Sequence, residues 1–131
     1  MLFLLTLLAL PLAHADSIEF TCQNLAPPRQ QGDERFVKIA FVGGQATLEI
    51  ADLTSPVLNV GALLTSEGAS YSDTSTSASA GWKNEQGNVV TISLVYLGSW
   101  WGANLRFNQA LAAPGLSFSA GEELDLRCNE K

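Results

Sequence analysis

The side chains able to do acid–base, nucleophilic or metal chemistry are few in this chain, and their placement blocks the obvious reactions. The one histidine, His14, lies in an apolar leader that is expected to be removed. Without it, imidazole acid–base catalysis, the serine and cysteine triads and nearly all zinc sites drop out. Cys22 and Cys128 stand near opposite ends, with neither a Cys-x-x-Cys spacing nor a nearby histidine to make either sulfur reactive. Carboxylates remain, as the adjacent pairs Asp33-Glu34 and Glu122-Glu123. Neighbours on a strand point to opposite faces, and both pairs sit beside glycine in turn-like sequence, so they read as solvated loop charges. The residue types therefore predict a protein that is not an enzyme and holds no metal or cofactor.

The leader is read from residues 2–12, an apolar run broken only by Thr6 and Pro11, followed by Ala13-His14-Ala15 ahead of Asp16. This is the small-x-small pattern that signal peptidases cleave. A membrane-spanning helix needs about 20 apolar residues, and this run is far shorter. The expectation is a signal peptide at 1–15, a single domain at 16–131, and release to the periplasm or medium. Asp16 in place of a cysteine after the cut predicts no lipid anchor.

All 13 acidic and 7 basic residues lie after Ala15, for a formal net charge of −6. That charge argues against nucleic acid or an anionic membrane as partner and suits a cationic protein, although it also serves plain solubility. In an oxidising compartment Cys22 and Cys128 are expected to pair.

The elements that must position these residues are strands. Period-two alternation recurs in nearly every apolar segment, and no stretch of helical length carries an apolar stripe at helical spacing. Ile18, Phe20 and Cys22 alternate with Glu19, Thr21 and Gln23; near the end, Leu124, Leu126 and Cys128 alternate with Glu123, Asp125 and Arg127. Both sulfurs then face inward, as a disulfide between first and last strands requires. Phe36 to Val42 and Gln45 to Ala51 flank Gly43-Gly44, a tight-hairpin signal. Residues 57–65, 89–97 and 103–107 read as further strands, the last two joined through Gly98-Ser99-Trp100-Trp101-Gly102. Residues 26–32 and 73–80 read as loops, and residues 107–113 allow a short helix stopped by Pro114-Gly115. The predicted fold is all-β: a small antiparallel β-barrel of seven or eight short strands, with one disulfide joining first and last.

Within that frame, Ser66-Glu67-Gly68-Ala69-Ser70-Tyr71, then Gly81-Trp82-Lys83 and the strand from Val89, resemble the core of the C-type lysozyme inhibitors of bacterial envelopes. Those are small β-barrels with a cysteine near each end and a pattern similar to Ser-Gly-x-x-Tyr followed by an aromatic and Trp-x-Lys-Gly. Gly68, Tyr71 and Trp82 match. Glu67 stands where the family has serine, and Lys83 follows Trp82 directly. The resemblance implies that the serine and lysine positions enter a lysozyme cleft and meet its catalytic carboxylates, where Glu67 would meet like charge. Residues 95–119 have no counterpart.

Tyr71 and Trp82 are also explained as barrel aromatics with a polar tip, and Lys83 as a solvated cation. Trp100 and Trp101 are adjacent in a predicted turn, so one ring is expected to be exposed as a contact residue or folded over a barrel end. The expected partner-binding residues are Ser66, Glu67, Gly68, Ser70, Tyr71 and Lys83, with Trp100 and Trp101. The leading expectation is inhibition of a cationic lysozyme by occlusion. Its rivals are a carrier of an apolar small molecule, held near the tryptophans, and a structural accessory protein of the envelope.

Overall fold

The computed structural model describes residues 17–25, 35–52, 56–71 and 76–130; the expected signal segment, the loop at 26–32, Asp33-Glu34 and residues 73–75 lie outside them. The described chain forms strands β1 (Ser17–Asn24), β2 (Phe36–Val42), β3 (Gln45–Ala51), β4 (Leu58–Asn59), β5 (Thr65–Ser70), β6 (Ser77–Asn84), β7 (Gly87–Tyr96), β8 (Trp101–Phe107), β9 (Leu111–Ala113), β10 (Leu116–Phe118) and β11 (Glu123–Glu130). Nine of them build one curled antiparallel sheet, a half-barrel, in the order β4-β3-β2-β1-β11-β8-β7-β6-β5. β9 and β10 form a separate hairpin.

Alternation drives the curl. On β2, Val37, Ile39 and Phe41 are buried while Phe36, Lys38 and Val42 face out; β3, β7, β8 and β11 repeat the pattern. Trp82, Phe20, Phe107, Leu48, Ile92, Leu94, Leu105 and Leu126 fill the interior, and among the described residues no polar or charged residue is fully buried. Burying a large apolar side chain stabilises by about 1.5 to 3 kcal/mol, which makes this concave face the main source of stability. The β2–β3 hairpin turns at Gly43 and Gly44, whose φ angles of 57° and 83° are those a two-residue hairpin turn needs and other residues resist.

The predicted disulfide is present. Cys22 and Cys128 stand directly opposite each other on β1 and β11, with Cα atoms 4.0 Å apart, and both side chains are buried. The first and last of the described strands are thus joined by a ladder and a covalent bond.

Three local readings change. Residues 57–65 are not one strand: Asn59 Oδ1 accepts the Gly61 N–H at 3.0 Å and caps a short 3-10 turn at Val60–Ala62, which ends β4 and leaves Leu63 exposed. Residues 77–80, expected in a loop, begin β6. Ala78 and Ala80 face inward and Ser77 and Ser79 outward, so the period is present in side chains too small to announce it. The helix allowed at 107–113 does not form. β8 runs through Phe107, and Pro114-Gly115 is the turn of the β9–β10 hairpin, whose Leu111, Leu116 and Phe118 cover the core with the Phe118 ring stacked on Phe107 at 4.1 Å. Tertiary burial overrides local helix propensity here. The strand count rises accordingly above seven or eight.

Candidate functional site

The two segments that carry the family resemblance are brought together. β5 is the last strand of the sheet and pairs only with β6, with Thr65 opposite Lys83, Ser66 opposite Trp82 and Glu67 opposite Gly81; the register then shifts before Ser70 meets Ser79. The irregularity falls at Gly68, which has a φ of 61°. A bulge of this kind twists an edge strand and discourages further pairing.

Alternation divides the segment between two faces. Glu67 and Lys83 point outward, diagonal to one another, and form a salt bridge of 3.1 Å with each side chain 44% exposed. The lysine expected to await a partner's carboxylate is thus matched by the glutamate at the family's serine position. An exposed pair is worth about 0 to 1 kcal/mol, so either charge can be drawn away by a better partner.

Ser66, Trp82 and Tyr71 turn the other way. Trp82 is fully buried, and its Nε1–H donates to the Ala46 carbonyl at 3.3 Å. Ser66 Oγ accepts the Ala46 N–H at 3.4 Å, and the Ala69 N–H donates to the Gly44 carbonyl at 3.3 Å. Ala46 lies on β3, so these contacts draw β5 towards the opposite flank of the sheet where no strand ladder joins the two. Tyr71, half-buried, stacks on Phe41 at 5.8 Å and meets the edge of Phe20 at 6.2 Å. Ser70 is exposed beside it. Of the expected loop set, then, Glu67, Gly68, Ser70 and Lys83 are presented to solvent, whereas Ser66 and Tyr71 help hold the sheet together.

The tryptophans separate sharply. Trp101 begins β8 and is 4% exposed, packed against Phe20 at 5.0 Å and Tyr96 at 5.4 Å, with its Nε1–H donating to Glu130 Oε1 at 3.3 Å. It closes one end of the half-barrel and is not a surface contact residue. Trp100 folds over the outer face, half-buried, with the Arg127 guanidinium 4.9 Å from its ring centroid. Gly102 leaves room for Leu97: a Cβ there would stand 3.0 Å from Leu97 Cδ1, whereas the Trp100 ring, at 3.8 Å, would meet it in ordinary contact.

Arg127 was not among the expected site residues. It lines an outer-face groove of about 500 Å³ with Thr21, Gln23, Asn129, Lys38 and Glu49 among its walls. The signal for it is the strand phase that predicts the disulfide: if Cys22 and Cys128 face in, Gln23 and Arg127 face out as neighbours. Glu123, read both as a turn charge and as the outward start of the last strand, lies on β11 and pairs with Arg106 at 3.6 Å, while Glu122 stays in the preceding turn and accepts the Ser119 N–H at 2.9 Å.

No family model, no curated protein and no solved structure matches the chain.

Proposed function

We propose that the chain is an exported, non-catalytic protein-binding module that occludes the cleft of a C-type lysozyme or a similar cationic cell-wall hydrolase. The observation that carries this reading is the pairing of β5 with β6, which sets Glu67, Gly68 and Lys83 side by side on an exposed sheet edge although they come from separate segments. The net charge of −6 would speed encounter with a basic enzyme. Binding requires Lys83 to leave Glu67 for a carboxylate of the partner. Filled inward positions give an apolar small molecule little room, so the carrier reading has less support.

Titrating the chain from Asp16 onward into lysozyme-driven lysis of cell walls, at low and high salt, tests the proposal. Inhibition that weakens with salt is expected. Lys83→Ala should raise the dissociation constant about ten- to a hundredfold through loss of a charge-assisted contact. Glu67→Ser should tighten binding, because it removes like charge from the cleft and releases Lys83. Lysis unaffected by a large excess of the protein, in either salt, would refute the reading.

A further inference from the structure

The outer face of β11, β1, β2 and β3 carries two cross-strand rows fixed by register. One reads Arg127, Gln23, Phe36, Ala51; the other reads Asn129, Thr21, Lys38, Glu49. Together they floor the groove of about 500 Å³, which Val57 extends on the far side. Three strand spacings, about 14 Å, separate the β11 end of the groove from its β3 end, a span suited to two or three linked sugar rings.

The two ends of the groove differ in chemistry. At the β11 end, Arg127 has its guanidinium laid over Trp100 and, among the described residues, no carboxylate in a salt bridge with it. The other outward cations of the sheet are matched: Lys38 with Glu19 at 3.6 Å, Lys83 with Glu67 and Arg106 with Glu123. An arginine with no acid in a salt bridge among the described residues, and held in place by an aromatic ring, is a prepared carboxylate receptor. At the β3 end, Glu49 can only accept, which suits hydroxyl groups. Between them stand two amides, a hydroxyl and the exposed ring of Phe36, 39% accessible, against which the apolar face of a sugar can lie.

We propose that this groove binds a glycan segment bearing an isolated carboxylate, with the carboxylate on Arg127, ring hydroxyls on Gln23, Thr21, Asn129 and Glu49, and a ring face against Phe36. A polyanion of high charge density is disfavoured by the net charge of −6. An uncharged glycan would leave Arg127 unused. A ligand with one carboxylate among many hydroxyls satisfies both ends.

The test is a chemical-shift titration of the chain from Asp16 onward with hyaluronan tetrasaccharide, whose carboxylates fall on alternate rings, beside chitotetraose as the neutral counterpart and acetate as the free carboxylate. Saturable shifts are expected in the backbone amides of Gln23, Lys38 and Asn129 at millimolar ligand, with chitotetraose and acetate each binding more weakly. Arg127→Gln should weaken the tetrasaccharide about ten- to a hundredfold, and Gln23→Ala by less, with melting unchanged for Gln23→Ala and only slightly lowered for Arg127→Gln, which gives up the contact with Trp100. The proposal is overturned if those amides do not shift, if the shifts fall on other strands, or if chitotetraose binds as well as the charged glycan. Inhibition of lysis reads different strands, β5 and β6, so either result can fail without the other.

Discussion

Where β1 meets β11, five residue pairs face each other in an unbroken ladder, from Asn24 opposite Leu126 to Phe20 opposite Glu130, and a disulfide joins the central pair. Where β5 approaches β3 there is no such ladder. One backbone bond links Ala69 to Gly44, and both polar groups of Ala46 are satisfied by side chains, the N–H by Ser66 and the carbonyl by Trp82. The first junction is made by main chain and would tolerate many residues at most of its positions. The second depends on the identity of two side chains. Backbone ladders leave little trace in sequence beyond alternation, whereas side-chain staples leave particular residues at particular places. Ser66 and Trp82 are therefore accounted for by the fold, whereas Glu67 and Lys83, which the fold does not need, are the residues the proposed lysozyme contact would use.

The comparison breaks most visibly at the disulfide. The bond closes a loop with a sequence separation of 106, which in the chain-entropy model contributes about 4 to 5 kcal/mol, a large share of the roughly 5 to 15 kcal/mol typical of a domain. Replacing both cysteines, Cys22→Ala with Cys128→Ala, should lower the denaturation midpoint strongly while leaving any lysozyme binding of the folded fraction intact. Mass spectrometry under non-reducing alkylation checks the starting point: two alkylated thiols in the purified protein would contradict the pairing.

Trp82→Phe addresses the second junction at its stronger staple. The ring is fully buried, so the change removes volume and leaves the Ala46 carbonyl without its donor. An unsatisfied buried acceptor costs about 1 to 3 kcal/mol, and lost packing adds to it. Thermal or urea unfolding should show a loss clearly below that of the disulfide variant. Amide exchange should rise first in β5 and in the start of β3, because the damage is confined to that junction.

Much of this was legible beforehand. Alternation around Phe20, Cys22, Leu126 and Cys128 predicts both the first and last strands and the bond between them, because one period-two phase fixes which way each side chain points. What the sequence hides follows from the same rule. Ala78 and Ala80 alternate as strictly as Val37 and Ile39, but their side chains carry too little apolar area to distinguish a strand from a loop. Trp100 and Trp101 are indistinguishable as types, and only the start of β8 decides that one closes the core while the other lies on Arg127. The Glu67–Lys83 pair needs the β5–β6 register, which short polar strands with a bulge do not disclose. The two-row groove needs four strands in order, three of them consecutive and the fourth the distant β11 beside β1, and no local pattern contains that.

The smallest effect in this series belongs to Ser66→Ala, and it sharpens the comparison because it separates fold from partner at one residue. At 3.4 Å the bond from the Ala46 N–H is long, and Ser66 is only half-buried, so water can replace part of it. A neutral hydrogen bond contributes about 0.5 to 1.5 kcal/mol, and the loss here should fall at the lower end. If Ser66 acts only as a staple, Ser66→Ala lowers the unfolding midpoint slightly and leaves lysis inhibition unchanged at temperatures where the protein is folded. If its hydroxyl instead turns outward to a lysozyme carboxylate in the complex, inhibition weakens with almost no change in stability. Measuring both quantities on the same preparation distinguishes these outcomes. A stability loss as large as that of Trp82→Phe would mean that the two staples cannot be broken independently and that the β3–β5 junction opens as a unit.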